Sequence, residues 1–344
     1  MGFGRLEYYI KVLSGVRIRK LSHCITIVRR RSGRSRMSIL RDMLGCARKY
    51  GAGYYDYMIF EYDQMDEEQR ATYMTRMTNK ALMTKMNDAA YTHLFDQKNE
   101  FYEVFADFLG RDYLDLSSCS KGELAAFLAE RSEVMAKPAE GECGHGIEKI
   151  RLDRFSTVDE ACEYLIAPNN GFGVVEDVII QHPEMRRLYP DSVNCLRMTT
   201  LLVDGKAHML YAVLKTGNNG NFVDNLESGG FACHVDRDTG VVCGPGHTSS
   251  SISDAQLVEV HPATGVAFRG FEVPFYREAV DLVCRAALKV PQVRYIGWDV
   301  CITETGPAII EGNNYAAYDF PQLPDDSQPR RGLLGLIRDL GVEI

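Results

Sequence analysis

The stretch Ile296-Gly-Trp-Asp299-Val-Cys-Ile302, Thr303-Glu-Thr-Gly306, Pro307-Ala-Ile-Ile-Glu311-Gly-Asn313 reads as a β-hairpin. Ile296, Trp298, Val300 and Ile302 share one parity, whereas Gly297, Asp299 and Cys301 share the other. In a strand the two parities are opposite faces. Gly306 suits the positive-φ position of a three-residue loop, Glu304-Thr305-Gly306. That loop sets Asp299 directly opposite Glu311, with Asn313 on the same face two residues on. Cross-strand partners sit ~5 Å apart, and like charges there repel. Three oxygen-bearing side chains converging on one small volume suit Mg²⁺, a hard cation that takes carboxylates together with phosphates. The other reading of this hairpin is a solvated acidic face, and the rest of the chain must decide.

A chain of 344 residues can bury a large core in two or three lobes. No apolar run reaches the length of a membrane span, and the N-terminus lacks the apolar region of a signal peptide. The ten Cys include no C-x-x-C pair, which argues against a zinc site and for reduced thiols in a cytoplasmic protein. Residues 1–36 hold ten Lys or Arg against one acid, Glu7, a balance of +9; with the whole chain at −8, the remainder carries −17. Such a basic arm can touch an anionic membrane surface or a lipid-linked, phosphorylated carrier, can be merely solvated, or can dock on the protein's own acids. An acidic body without aromatic-basic interleaving excludes nucleic acid as a partner.

In chain order, residues 1–92 read as a helical, basic extension. Leu6, Tyr9, Ile10 and Leu13 predict a helix over 5–13, the polar run Arg29–Arg36 a linker, and 38–50 a helix stopped by Gly51-Ala-Gly53. A long helix is expected over 66–92, with Tyr73, Met74 and Met77 in the core. Residues 93–185 form a first lobe. Phe101, Phe105 and Phe108 share a helix, Ser120-Lys-Gly-Glu123 is a capping box, and Glu133–Lys137 is a short strand closed by Pro138. The glycines at 141, 144 and 146 follow that strand; they read either as a cover for phosphate oxygens or as a hairpin turn. Ser156 is expected to cap a helix ending near Ile166. Gly173–Gln181 reads as a buried strand interrupted by acids. Residues 186–344 form a second lobe of β character. Strands 192–203 and 206–215 flank Asp204-Gly205, a strong hairpin turn, so Arg197 and Lys215 lie near each other at the far end.

Taken together, this order resembles the ATP-grasp superfamily, an α+β fold that holds ATP between two α+β lobes. Asn194-Cys-Leu-Arg197, Ala212-Val-Leu-Lys215, Asp224-Asn225…Gly229-Gly230 and Gly297-Trp-Asp299…Glu311-Gly-Asn313 look like the pattern of ribosomal-protein glutamate ligases. The match is closer to the sugar-transfer-associated ATP-grasp family, through Ser192-Val-Asn194…Arg197, His261-Pro262…Thr264-Gly265 and the same hairpin. The resemblance covers roughly residues 50–340. It implies that Lys137 contacts the α-phosphate and adenine side of ATP, with Lys98 a looser candidate for the first phosphate lysine. It implies that Gly141, Gly144 and Gly146 cover the phosphates. Glu176, Asp177 and Val178 would present backbone to adenine, with Gln181 or Glu184 near the ribose. Arg197 would stabilise the transferring phosphoryl group, with Lys215 where relatives often carry Arg. Asp299, Glu311 and Asn313 would hold Mg²⁺.

The implied activity is that of a carboxylate–amine ligase working through an acyl phosphate on a saccharide or small metabolite. A kinase acting on a hydroxyl and a non-catalytic ATP-binding module are the competing readings. Asp224, His247 and His261 are left without a role.

Overall fold

The computed structural model describes residues 18–140, 146–220, 224, 226–249, 256–327 and 329–344. The expected helix over 5–13 and the glycines Gly141 and Gly144 lie outside them. The chain divides into two compact units: residues up to Ala81 with Tyr318–Ile344, and Leu82–Ala317.

The first unit is helical. Helices α1 (Ile18–Ser32), α2 (Arg36–Tyr50), α3 (Tyr54–Ile59) and α4 (Glu67–Arg70) precede α5 (Arg76–Met86), which carries the chain into the second unit. The run Arg29–Arg36 is not a linker. Cys24, Ile25 and Val28 bury a continuing stripe, arginine is a good helix former, and α1 therefore runs to Ser32. Only Gly33, Arg34 and Ser35 remain as a turn, with Gly33 at φ +69° and Ser35 capping α2. Gly51 ends α2 at φ +69° in the left-handed region, as its position after the helix predicts.

The expected helix over 66–92 is broken. The Asp66–Gln69 capping box opens only the short α4. The Met74 N–H then donates to the Gln322 side chain at 2.8 Å, and Thr75 and Thr78 bond each other's backbone, so side chains outcompete the helical ladder. Tyr73 and Met74 are buried, but Met77 is 44% exposed rather than in the core. Two arginines of the basic segment dock on the unit's own acids. Arg31 binds Asp63, and Arg34 binds Asp42 at 2.9 Å. Asp42 also takes Arg70 at 3.0 Å; despite desolvation, Arg70, Tyr57 and Arg34 hold its carboxyl down at about 2.

The second unit holds two antiparallel sheets. Helices α6 (His93–Asp96) and α7 (Lys98–Leu109) lead into β1 (Tyr113–Asp115), α8 (Lys121–Ala129), β2 (Glu133–Pro138), β3 (Glu148–Arg151), α9 (Val158–Ile166), β4 (Phe172–Asp177) and α10 (Pro183–Leu188). The small sheet runs β1-β4-β2-β3. Ser120 and Glu123 form the expected capping box on α8, while Thr157, not Ser156, caps α9. The strand expected over 173–181 ends at Asp177.

The large sheet adds β5 (Cys195–Val203), β6 (Lys206–Thr216), β7 (Phe231–Val235), β8 (Val242–His247) and β9 (Leu257–Val258). Helix α11 (Tyr276–Ala286) precedes β10 (Tyr295–Thr303) and β11 (Gly306–Asn313). Its order is β11-β10-β5-β6-β7-β8-β9. Asp204 and Gly205 both take positive φ, +50° and +76°, as a two-residue primed turn requires. Register aligns Trp298 with Met198 and Ala212, and Val300 with Leu196, Leu214 and Cys233. These residues, with Phe95, Phe101 and Phe105 and the buried side of α11, make one core. Fully burying each such side chain stabilises by about 1.5–3 kcal/mol. The alternate parity of the same strands is thereby turned toward the other face, where the charged residues lie.

Candidate active site

On that face a single cross-strand row runs Glu311, Asp299, Arg197, Val213, His234. The neighbouring row runs Cys301, Cys195, Lys215, Ala232, His247. Asp299 does stand opposite Glu311, and Asn313 opposite Gly297, but the expected loop does not produce this. Thr303 pairs with Gly306, so the turn is the two residues Glu304 and Thr305. Ile310 is then an extra residue, a β-bulge between Ile309 and Glu311 that restores the register. Gly306 keeps its positive φ, +138°, as the first residue of β11.

Cations surround Asp299. Arg197 grips it with two nitrogens, the Nη2 contact being 2.8 Å, and Lys215 Nζ reaches it at 3.2 Å. Lys215 also pairs with Asp224 at 3.4 Å, and the Cys195 thiol donates to that same carboxylate. Desolvation alone would raise Asp299, but the charges of Arg197 and Lys215 hold it well below the usual carboxylate range. Glu311 is shifted the other way, by desolvation and by the Asp299 charge beside it. Glu311 is open to solvent, so the Asp299 charge opposite it is the stronger physical cause. A raised carboxyl directly opposite a depressed one, with the Asn313 amide two residues along, is a donor set that a divalent cation fits, since the cation would relieve that repulsion.

The small sheet contributes a second charged group. Lys137 on β2 and Glu176 on β4 face each other, Nζ to Oε1, at 2.6 Å. Glu176 also accepts from Arg111 Nε at 2.8 Å and from the Tyr102 hydroxyl, and Lys137 donates to that hydroxyl at 3.0 Å. All four side chains are buried or nearly so. Desolvation opposes the Glu176 charge, but Lys137 and Arg111 overcome it and hold the carboxyl at about 2. Arg111 reaches further: Nη1 donates to the Ile309 carbonyl at 2.8 Å, at the bulge beside Glu311. Lys137 is near enough for its charge to lower Glu311. The two charged groups therefore lie close together within this unit.

The remaining candidates divide. Lys98 opens α7, and its N–H donates to the Ala139 carbonyl at 2.9 Å, which puts it beside the end of β2 where the glycine segment begins. Gly146 is exposed at φ +74°. Glu176 and Asp177 do not offer open backbone: β4 is an inner strand, Glu176 pairs with both Tyr113 and Met135, and the Asp177 N–H donates to the Asp112 carbonyl. The three-residue strand β1, absent from the sequence reading, occupies that edge. Val178 is the first residue beyond the ladder. Gln181 does not face a ribose; it is buried, donating to the Ser192 carbonyl at 2.6 Å and accepting from Asn194 at 3.1 Å. Glu184 is exposed in the first turn of α10, where it pairs with Arg187.

Residues without an expected role gain one here. Asn194 bonds Gln181 and the carbonyls of Met185 and Tyr189, and accepts from Thr216. His261 accepts at Nδ1 from the Ala263 N–H, so its proton lies on Nε2, which donates to the Gly217 carbonyl at 2.9 Å. Burial lowers its pKa and keeps it neutral. Arg111, Tyr102 and Asp224 complete the charged groups. Arg111 gave no signal in the sequence, whereas Tyr102 shares α7 with the phenylalanines and was hidden among them.

The profile of the sugar-transfer associated ATP-grasp family matches residues 77–334. No curated protein matches the sequence. Similar solved structures include the ATP-grasp ligase PsnB with its minimal precursor, Mg and ADP, at 13% identity over 79% of this chain and 68% of that one, TM-score 0.41. D-alanyl-alanine synthetase A from Vibrio cholerae O1 biovar eltor is 13% identical over 80% and 66%, TM-score 0.40. D-cycloserine synthetase DcsG is 12% identical over 84% and 82%, TM-score 0.41. With three quarters of its length inside the family profile, and an α+β architecture preceded by helices, the chain belongs to the sugar-transfer associated ATP-grasp family.

Proposed function

We propose that the protein is an ATP- and Mg²⁺-dependent ligase that joins a carboxylate to an amine through an acyl phosphate, releasing ADP and phosphate. The observation that carries this reading is the opposed pair Asp299 and Glu311, flanked by Arg197 and Lys215 and facing Lys137. Asp299, Glu311 and Asn313 would hold Mg²⁺, and Lys137, Lys98 and Gly146 would lie along the phosphates. Bound Mg²⁺·ATP supplies a phosphoryl group whose charge is already partly neutralised. Arg197 and Lys215 would hold an anionic acceptor and the oxygens that gain charge during transfer. Val178, at the exit of β4, is the residue left to meet the adenine edge, with Glu184 close in sequence for the ribose.

An acceptor carboxylate needs cations and no general base. Two groups that could have served a hydroxyl acceptor are otherwise engaged: His261 is neutral and bonded at both nitrogens, and Asp224 is paired with Lys215. This favours ligation over phosphorylation of a hydroxyl. The sugar-transfer association of the family favours a saccharide or a lipid-linked carrier as the acceptor's scaffold. Among the described residues no helix is long and apolar enough to cross a membrane.

Calorimetry with ATP, in the presence and absence of Mg²⁺, tests the site itself. The wild type is expected to gain affinity with Mg²⁺. Glu311→Gln is expected to lose that gain while melting at the wild-type temperature. An unchanged Mg²⁺ gain in the variant would overturn the assignment.

A further inference from the structure

We infer that the helical hairpin α1–α2 is a docking surface for an anionic lipid membrane. Residues 18–50 carry ten Lys or Arg against one acid, Asp42, a balance of +9; with the chain at −8, everything else sums to −17. The structure sorts these cations. Arg31, Arg34 and Lys49 turn to acids of their own unit, Asp63, Asp42 and Glu67. Arg19, Lys20, Arg29, Arg41 and Arg48 are exposed and have no acidic partner among the described residues.

The exposed cations are interleaved with exposed apolar side chains. On α2 the positions i, i+4, i+7 and i+11 are Met37, Arg41, Leu44 and Arg48, which share one helix face. Met37 is 67% exposed and Leu44 58%, while Ile39, Met43 and Cys46 bury the opposite face. On α1 the residues Arg19 and His23 share a face, opposite the buried Cys24, Ile25 and Val28. Ile18, the first residue of α1, is 78% exposed. Arg36 joins the two helices, donating to Ser22 Oγ at 2.9 Å and Thr26 Oγ1 at 3.2 Å, so the two outward faces adjoin.

Cations alone would suit any polyanion. Large apolar side chains held in water between arginines suit a surface with charge outside and hydrocarbon beneath, where basic residues meet headgroups and the apolar ones insert. Apart from the His23 imidazole, neither outward face carries a ring, and there is no Phe, Tyr or Trp on either to serve as a stacking platform for nucleic-acid bases, which disfavours RNA or DNA. The inference is independent of the ligase reading, since membrane binding is read without turnover.

The test is flotation of the full chain with phosphatidylcholine vesicles, with and without phosphatidylglycerol, at low and high salt. Binding is expected only to the anionic vesicles and should fall steeply with salt. Each cation near such a surface contributes about 1 kcal/mol, roughly five-fold in partitioning. Arg19→Gln, Arg41→Gln and Arg48→Gln combined should therefore lower partitioning on the order of 100-fold. Met37→Ser with Leu44→Ser should lower it several-fold without changing the salt dependence. All five side chains are exposed, so both variants should melt at the wild-type temperature and bind ATP as before. Three results would overturn the proposal: no binding to anionic vesicles, equal binding by the arginine variant, or duplex nucleic acid displacing the vesicles while the Met37 and Leu44 changes have no effect.

Discussion

Replacing Glu176 by Gln keeps the side chain's shape and removes one charge from a fully enclosed ionic group. Glu176 is 1% exposed and is bonded by Lys137 at 2.6 Å, Arg111 at 2.8 Å and the Tyr102 hydroxyl. Two estimates of the cost agree. Its carboxyl is held at about 2 against an ordinary 4.5, and about 1.4 kcal/mol per pH unit gives roughly 3 kcal/mol. Leaving the buried cations Lys137 and Arg111 without their partner costs about 3–5 kcal/mol. The sign follows from the lowered value: the stabilisation is present above pH 4.5 and is lost as pH falls toward 2. Trp298, the one tryptophan, is fully buried in this unit's core and reports its unfolding without a label. Urea unfolding followed by Trp298 fluorescence should show Glu176→Gln less stable by about 3 kcal/mol at pH 7, and the gap should narrow as the pH falls below 4.5. A gap under about 1 kcal/mol at pH 7, or one that persists unchanged at low pH, would refute the reasoning.

Gln181→Ala removes a buried amide that bonds Ser192 and Asn194, and should cost about 1–3 kcal/mol in the same assay. Its ATP affinity should be nearly unchanged if Gln181 is structural rather than a ribose contact. His261 has a pKa below its ordinary 6.5, so its contribution to stability is present above pH 6.5 and is lost as pH falls below that value; the melting temperature of His261→Gln should lack this acid slope. Lys215→Met should lower kcat on the order of 100-fold, with a smaller effect on ATP affinity, because its ammonium would act on the charge that develops during transfer.

The fold was legible where local chemistry and periodicity agreed. Asp204-Gly205 required positive φ at both positions, Ser120 and Glu123 specified a helix start, and the alternation through Trp298 separated the core face from the charged face. The opposition of Asp299 and Glu311 was reached through a loop one residue too long, compensated by a bulge at Ile310. That bulge could not be read locally, since Arg111, nearly 200 residues away, holds the Ile309 carbonyl beside it. β1 is three residues long and pairs with a strand far along the chain, Tyr113 with Glu176, which hid the closure of backbone at Glu176 and Asp177. The repulsion expected at the hairpin is real, but Arg197 and Lys215 offset much of it, so the acidic pair argues less strongly for a metal than its spacing in the sequence did. The basic segment misled because its charges read as a loose arm, whereas Cys24, Ile25 and Val28 give it a buried helical stripe.

If the site around Asp299 and Glu311 activates a carboxylate with ATP, the acyl phosphate can be trapped. Candidate carboxylates, including acidic saccharides, can be incubated with ATP and Mg²⁺, with hydroxylamine in place of the amine. ³¹P NMR, read with hydroxamate detection, then follows the products. ADP and free phosphate are expected in equal amounts, together with a hydroxamate, and none of these with Glu311→Gln. A stable phosphorylated product without free phosphate would contradict carboxylate activation and identify a kinase.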